Sequence, residues 1–382
     1  MSNWEWKKLK DICEKGSSNI KQGDLKSLDG DYPIYGASGF IQNVDFYQQS
    51  KEYIGIVKDG SGVGRTMLLP AYSSVIGTMQ YILPKEGNDI KFINYALGNI
   101  DFSKSIQGAA IPHIYFKDYG ETEVLVPPLA EQKRIVKTLD EKFAKIDKLK
   151  TAAETNLKNA REIFNAELEN VFSNKNWDLR KLNDLCELIS GYAFDSKGYS
   201  SNDEDTLLVC GDNIMHCSFR WETVKRWPKE KYNELKRFEL KDSDIVLAMD
   251  RPWIKSGLKI SKITEKELPS LLVQRTAALR VVNHILSDYL YYALQNKKFS
   301  DYLIDQQTGV GVPHISGKQI LNFQIPLPPL SDQKRIVAHL DKLSEKVKRL
   351  EENYRRTIAD CEELKKSILK KTFEGDSRSS RE

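Results

Sequence analysis

The sequence predicts an α+β protein in which two tandem, mainly-β domains are separated by two long antiparallel coiled-coil helices, with a pseudo-twofold internal repeat. Three features of the 382 residues support this prediction. A proline-containing block occurs twice, strand-like segments precede each copy, and a long amphipathic run follows each copy. A duplicated unit determines the number and order of the domains.

The duplicated block has the sequence PPLxxQKRIV and lies at residues 127–136 and again at 328–337. When 127–140 is aligned with 328–341 without a gap, ten of the 14 residues are identical, where chance gives about one. The match continues upstream, since IPHI at 111–114 corresponds to VPHI at 312–315. Trp4 corresponds to Trp177 at an offset of 173 instead of 201, so the second copy contains about 28 additional residues.

The first predicted domain is 1–128. Apolar runs such as YIGIV at 53–57 alternate with glycine and proline, which is typical of strands joined by turns. The central spacer helix, 129–173, contains no glycine or proline, and its apolar residues are three or four positions apart. These residues are Ile135, Leu139, Phe143, Ile146, Leu149, Ala153, Leu157, Ala160, Phe164 and Leu168.

Residues 174–329 form the second predicted domain, which repeats the strand-rich pattern, and 330–374 form a C-terminal spacer helix. Residues 375–382 are predicted to be a flexible tail. Two helices that are apolar along one face are expected to pair antiparallel, although each could instead dock on its own domain. The predicted seam of the second helix consists of Leu340, Leu343, Val347, Leu350, Tyr354, Cys361, Leu364 and Ile368.

Composition predicts a cytoplasmic protein. No stretch approaches the roughly 18 uncharged apolar residues of a membrane span, and the opening MSNWEW lacks the apolar core of a signal peptide. The five cysteines have no CxxC spacing, and Cys13 and Cys186 recur in apolar segments. Buried free thiols in a reducing compartment are therefore expected, in place of disulfides or metal ligands.

One segment, 219–237, concentrates positive charge in a chain whose net charge is only +4. It contains seven Lys and Arg residues against three acids, with Trp221, Trp227 and Tyr232 between them. This combination suits phosphate neutralisation together with contacts to bases, although a solvated surface has the same pattern.

Motifs of catalysis are missing from the sequence. GSGVGR at 60–65 has neither the spacing nor the lysine of a P-loop, and CGDNIMHC at 210–217 has no second ligand pair with zinc spacing. Both Pro-Pro pairs continue into leucine, so the Asp/Asn-Pro-Pro-aromatic motif of amino-methyltransferases is absent. His113 and His314 occupy equivalent positions without a nucleophile, which predicts a repeated structural hydrogen bond. The sequence indicates a binding protein that has no cofactor of its own.

Two variable domains, each closed by PPLxxQKRIV and a long helix, resemble the specificity subunit of a type I restriction-modification system. The resemblance covers essentially the whole chain. Further strings that are similar to the family's target recognition domains are YPIYGASG at 32–39, DGSGVGR at 59–65, SGYAF at 190–194, DRPWI at 250–254 and QR at 274–275.

The resemblance implies a non-catalytic subunit that reads a bipartite, asymmetric site in double-stranded DNA, one half per domain. It also implies two modification (methyltransferase) subunits that use S-adenosylmethionine, and motor-nuclease restriction subunits that use ATP and Mg. The helices would set the spacer between the half-sites and dock the modification subunits. Two alternatives remain, a non-catalytic coiled-coil adaptor without sequence-specific DNA binding and a lone methyltransferase or nuclease.

Two groups of functional residues are predicted. A reader of the major groove needs long side chains with several donors, which predicts DNA contacts for Lys58, Arg65, Arg220, Arg226, Arg251, Lys255 and Arg275. Identity between the two copies predicts residues that fix the helix-domain junctions or contact a partner, namely Gln132, Lys133, Arg134, Gln333, Lys334 and Arg335.

Overall fold

A computed structural model describes residues 4–108, 111–173, 176–222, 224–282, 284–308 and 313–374. Val312 of the repeat and the predicted tail lie outside these residues. The chain divides into two compact units, one formed by 1–154 with 355–382 and the other by 155–354. None of the helices in the described ranges is long and apolar enough to cross a membrane.

The first unit is mainly β, as the sequence predicted. Its elements, with the helix that continues into the second unit, are β1 (Glu5–Lys8), α1 (Leu9–Ile12), β2 (Cys13–Ser17), β3 (Tyr32–Gly36), β4 (Gly39–Val44), β5 (Tyr53–Val57), β6 (Thr66–Leu69), β7 (Ser74–Val75), β8 (Met79–Pro84), α2 (Ile90–Gly98), α3 (Phe116–Tyr119), β9 (Glu123–Val126) and α4 (Leu129–Val171).

Three small sheets build the first unit. The largest is antiparallel with strand order β2-β8-β5-β6. The second has order β4-β3-β7, in which β3 pairs antiparallel with β4 and parallel with β7. The third pairs β1 with β9, so the two ends of the domain lie side by side just before α4 begins.

The second unit repeats this series of elements. They are β10 (Leu179–Lys181), β11 (Cys186–Ser190), β12 (Thr206–Val209), β13 (Lys225–Trp227), β14 (Ile245–Ala248), β15 (Trp253–Ile254), β16 (Gly257–Leu258), β17 (Ile260–Lys262), β18 (Ser270–Leu272), β19 (Thr276–Val281), α5 (Ser287–Gln295), α6 (Lys297–Gln306), α7 (Gly317–Asn322), β20 (Gln324–Pro326) and α8 (Leu330–Glu374).

Sheet order confirms that the two domains are copies of one fold. The antiparallel sheet β11-β19-β14-β17 corresponds to β2-β8-β5-β6, and β13-β12-β18 again contains one antiparallel and one parallel pair. β10 pairs with β20 as β1 pairs with β9. The connection from β12 to β14 is much longer than that from β3 to β5, and it contains the basic segment 219–237. Most of the additional residues of the second copy therefore lie there.

The helices α4 and α8 run antiparallel within each unit. In the first unit, Lys150 and Asp147 of α4 form ion pairs with Glu362 and Lys365 of α8. Leu139, Phe143 and Ile146 of α4 share a core with Cys361 and Phe373 of α8 and with α2. The prediction of paired helices is confirmed.

In the second unit the same two helices pair through their other halves. Arg161 Nε lies 2.8 Å from Glu351 Oε1, and His339 Nε2 lies 2.9 Å from Glu167 Oε1. Leu168 of α4 and Leu340 of α8 are buried in the core of this domain.

The predicted seam is wrong at three positions. Leu149, Leu350 and Leu364 are exposed by 54%, 40% and 49% respectively. A stripe with a regular 3-4 spacing is buried throughout only when neighbours cover its full width. Here each half of a helix contacts one antiparallel partner and one domain, so part of each stripe stays open.

The buried cysteines agree with the prediction of free thiols. Cys13, Cys186 and Cys361 are buried and unpaired by disulfides, and all five cysteines are free. Burial raises the pKa of the Cys13 thiol to about 12, against a smaller opposing effect of Lys85, and raises that of Cys186 to about 12. These two thiols are therefore packing groups.

Leu340→Ala should lower the free energy of unfolding by about 2–5 kcal/mol, because Leu340 is fully buried and its removal leaves a cavity. Leu350→Ala, on the same helix in the same unit, is the matched control and should change it by about 0.5 kcal/mol or less. Urea unfolding followed by tryptophan fluorescence measures both. Equal effects of the two variants would contradict the assignment of the seam.

Candidate nucleic-acid interface

The repeated PHI segment holds the loop that follows the central strand of each domain. In the first unit Ile114 N donates to Lys58 O at 2.9 Å, and Gly60 N donates to Pro112 O at 2.9 Å. A third bond joins Lys58 N to Thr78 O at 2.9 Å. The loop after β5 is thus fixed from two sides by backbone hydrogen bonds, which depend little on side-chain identity.

The second unit uses the same bonds with different residues. Ile315 N donates to Met249 O at 2.8 Å, Arg251 N donates to Pro313 O at 2.9 Å, and Met249 N donates to Arg275 O at 2.9 Å. Position by position, Arg251 corresponds to Gly60 and Arg275 corresponds to Thr78. The frame is common to both domains, and the side chains that it carries differ.

The prediction of a repeated structural hydrogen bond holds for the backbone of the two histidines but not for their rings. His113 N donates to Gln107 O at 2.9 Å, and His314 N donates to Thr308 O at 2.8 Å. Their rings differ, since Nδ1 of His113 lies 3.2 Å from Ile111 O while Nδ1 of His314 lies 2.5 Å from Asp250 Oδ1. No sequence pattern indicated this difference between the rings.

Lys58 and Arg65 lie at the two ends of the loop in the first unit. Lys58 Nζ is 3.6 Å from Asp59, and Arg65 Nη1 donates to Ala37 O at 3.2 Å. The second bond joins the loop to the β3-β4 hairpin, so the strings at 32–39 and 59–65 form one surface. Gly64 has a φ of +84°, and a Cβ there would come within 2.7 Å of Phe102, so glycine is required.

Three large apolar side chains near this surface were missed by the sequence analysis. Phe40, Ile111 and Tyr115 are exposed, and Lys117 Nζ lies 5.4 Å from the centre of the Tyr115 ring. Exposed aromatic rings can stack on bases or ribose. Nothing in the sequence pattern distinguishes them from the buried aromatic residues of neighbouring strands.

Asp250 connects two motifs of the second domain that are separate in the sequence. Its Oδ2 lies 2.9 Å from Arg275 Nη1, while its Oδ1 is bonded to His314. The carboxylate is 20% exposed, whereas the Arg275 side chain is 70% exposed. A largely buried acid therefore orients an exposed guanidinium.

Arg251 and Arg275 both have left-handed backbones, with φ of +45° and +64°. This region is unfavourable for residues with a Cβ and is found preferentially at functional sites. Lys255 lies in the turn of the β15-β16 hairpin and is exposed. Arg251 is exposed too, and its side chain has no partner in the part of the chain that the structure describes.

Two candidates of the basic segment are engaged within the domain. Arg226 Nη1 donates to Asp205 O at 2.9 Å and its Nε lies 3.5 Å from Asp203, with the side chain only 20% exposed. Arg220 Nη2 donates to Asp212 O at 3.0 Å. These contacts favour a structural role for Arg226. Asp203 and Asp205 lie outside 219–237, so a count of charges within that segment does not include them.

Other cations of this segment lie over aromatic rings. Lys225 Nζ is 5.1 Å from the Tyr199 ring and Lys231 Nζ is 5.7 Å from the Trp227 ring. Such contacts contribute about 0.5–1 kcal/mol at exposed sites and leave the charge accessible.

The glutamine of each QKR triplet fixes the helix to its domain. Gln132 is buried; its Oε1 accepts from Asp89 N at 2.8 Å and its Nε2 donates to Pro127 O at 2.9 Å. Gln333 is fully buried, and its amide bonds Leu286 N at 2.9 Å and Pro328 O at 2.9 Å. One amide therefore ties the helix start to the loop before α2 or α5.

Asp140 and Asp341, four residues after the two copies of the repeated block, have the same role. Tyr95 donates to Asp140 at 2.5 Å, and Tyr292 donates to Asp341 at 2.6 Å. Burial acts to raise the pKa of Asp140, but the hydrogen bonds from Tyr95 and Lys91 outweigh it, and the pKa is lowered. The charged form is thus held at the junction of α2 with α4.

The other members of the triplets point to solvent. Lys133, Arg134, Lys334 and Arg335 are exposed. Arg134 bonds only Glu131 and Arg335 only Asp332, each one turn away on its own helix, among the interactions of the described residues. Among the described residues, neither arginine forms an ion pair with its domain.

Among the described residues, no group of three or more His, Cys, Asp or Glu side chains is arranged to hold a metal ion. In the 210–217 segment, Cys210 Sγ lies 3.0 Å from Asn213, and Cys217 Sγ lies 3.3 Å from Gln295. His216 Nδ1 is 3.1 Å from Leu258 O. Each of these side chains already has a protein partner.

The two domains thus share one frame and carry different exposed side chains. The family model described as "Type I restriction modification DNA specificity domain" matches residues 1–159 and 174–358. The chain therefore belongs to this family, as the sequence resemblance indicated, and carries two copies of its domain.

Individual relatives agree with the family match. The type I restriction enzyme MjaVIII specificity subunit of Methanocaldococcus jannaschii is 26% identical over 98% of this chain and 93% of its own length. The EcoAI specificity subunit of Escherichia coli is 34% identical over 44% of this chain and 28% of its own. A solved structure from work on assembly and conformational transition of the type I R-M system shares the fold, with a TM-score of 0.75, 18% identity, and coverage of 98% of this chain and 99% of that one.

Gln333→Ala should lower the free energy of unfolding on the order of 3 kcal/mol, because it leaves buried backbone groups at 286 and 328 without partners. Lys342→Ala, an exposed position further along α8, is the control and should have little effect. Urea unfolding of both variants is the measurement. An unchanged midpoint for Gln333→Ala would show that the amide does not stabilise the junction.

Proposed function

We propose that this chain is the DNA-reading subunit of a type I restriction-modification complex, and that each mainly-β domain reads one half of a bipartite, asymmetric site in double-stranded DNA. The supporting observation is the common frame with different side chains. Where the first domain has Gly60 and Thr78, the second has Arg251 and Arg275. Two domains that differ at such positions are expected to prefer different base sequences.

The exposed basic residues have the chemistry for this role. Arg and Lys donate to guanine O6 and N7 in the major groove, and they also neutralise phosphates. Lys58 and Arg65 in the first domain, with Arg220, Arg251, Lys255 and Arg275 in the second, are the proposed DNA contacts. Arg226 is retained only as a support for the basic segment, because its side chain is bonded inside the domain.

The paired helices are proposed to set the spacer between the half-sites. Gln132 and Gln333 fix each helix start to its own domain through buried hydrogen bonds, so a domain cannot rotate freely about its helix. A reader of two half-sites needs a fixed separation to keep both domains in register with the turn of the duplex.

Modification subunits are proposed to dock at the starts of the helices. Leu129 and Leu330 are exposed and identical, as are the Lys and Arg residues of the two triplets. Folding explains the identity of the buried members of the block but not of these exposed ones. Two equivalent surfaces would accommodate two copies of one partner.

The chemistry of modification and restriction is assigned to the partners. S-adenosylmethionine would bind the modification subunits, and ATP and Mg would bind the motor-nuclease subunits, so this chain is proposed to act without catalysis and without a cofactor. A cytoplasmic location fits a protein that meets the chromosome.

Exchange of one domain should change one half of the methylated site. The complex of this chain with its host's modification subunit is co-expressed, and methylated adenines are mapped by single-molecule sequencing. The expected result is an asymmetric motif with a fixed gap. Replacing residues 174–329 with those of another specificity subunit should alter one half alone.

The same experiment separates the alternatives. A stable complex that leaves no motif would contradict the proposal and favour a coiled-coil adaptor. Methylation by the isolated chain would show that it is itself an enzyme. A palindromic motif would contradict different readers in the two domains.

Arg134→Ala combined with Arg335→Ala should weaken binding of the modification subunit without changing the unfolding midpoint, because both side chains are exposed and bond only their own helix. Lys158→Ala combined with Arg356→Ala is the matched control, since those side chains are equally exposed on the same helices but are not repeated. Analytical ultracentrifugation of the mixed subunits gives the affinity. Equal affinities for both double variants would exclude the triplets from the interface.

A further inference from the structure

We infer that Arg275 reads a guanine in the half-site of the second domain and that Asp250 positions it; this inference rests on the proposed function. The composition of the chain does not distinguish these two residues from its other charged residues. The structure brings them together, with Asp250 Oδ2 2.9 Å from Arg275 Nη1.

The carboxylate is itself held in place. Asp250 Oδ1 is hydrogen-bonded to His314 Nδ1. The preceding residue, Met249, forms backbone hydrogen bonds with Arg275 and Ile315. A free arginine side chain loses rotamer entropy when it is ordered on binding. Fixing the guanidinium before DNA arrives removes part of that cost and sets the plane of the donors.

The contact leaves the reading edge of the guanidinium available. It uses Nη1, and among the described residues Nε and Nη2 have no partner, while the side chain is 70% exposed. Two parallel N–H donors match guanine O6 and N7, whereas adenine places a donor at the position of O6. A fixed donor pair therefore selects guanine.

A contact to phosphate alone would not need this arrangement. The Asp250 carboxylate reduces the net positive charge around Arg275, which weakens attraction to a phosphate. It also restricts the orientation of the guanidinium, as the reading of a base edge requires. The ion pair is thus better explained by base reading.

The first domain lacks this device. Thr78 replaces Arg275, and Asp59 lies beside Lys58 at a distance of 3.6 Å. The guanine contact should consequently belong only to the half-site that changes when 174–329 is exchanged.

The test compares methylation motifs of complexes that contain the full chain with Asp250→Asn, Arg275→Lys or neither change. Arg275→Lys keeps the positive charge but removes the pair of parallel N–H donors. It provides a second variant in case Asp250→Asn misfolds, and thermal melting checks the folding of both. Asp301→Asn, which breaks an exposed ion pair with Lys297 on α6, is the control. In the wild type, a G·C pair is expected in the second domain's half.

Both variants should reduce the preference for guanine at one position of that half by about ten- to a hundredfold, with the other half and the control unchanged. Uniformly weaker methylation without a change at any base would overturn the inference in favour of a phosphate or structural contact. So would an unchanged motif, or a wild-type half without a G·C pair. A wild-type complex with no motif would overturn the proposed function as well.

Discussion

The hydrogen bonds of one buried amide at the start of each long helix are the constraint on which the rest of the structure depends. Gln132 and Gln333 each bond a backbone carbonyl two residues before their own helix. Each also bonds the backbone amide that directly precedes α2 or α5. These donors and acceptors are buried away from water, so loss of the glutamine amide would leave the backbone groups that it bonds without partners. Each domain is consequently fixed to a helix that also belongs to the other unit.

This constraint lets the surface of each domain vary. The loops that carry Lys58 and Arg251 are held by backbone bonds from the PHI segments, so a change of side chain does not disturb the support. Gly60 and Arg251 occupy the same position of this frame, although glycine has no side chain and arginine has a long, positively charged one. A recognition protein built in this way can acquire a new target preference while its core and its junctions stay the same.

Charge in this chain acts locally. The basic segment 219–237 is partly neutralised by Asp203, Glu204 and Asp205, and several of its cations lie over aromatic rings. The Asp250 carboxylate has a different effect, since it lies beside a strongly exposed arginine and orients it. Net charge by segment therefore predicts little about which side chains are available to DNA.

The duplication, the mainly-β domains and the paired helices could be predicted from the sequence, because they follow from identity and from apolar periodicity along the chain. DRPWI and QR could be recognised there as separate strings. The packing of the elements was needed to show that Asp250, Arg275 and His314 meet, that Arg226 is bonded inward, and that Leu149 and Leu350 lie open to solvent. Periodicity records which face of an element is apolar, but distances between residues far apart in sequence depend on how the elements pack.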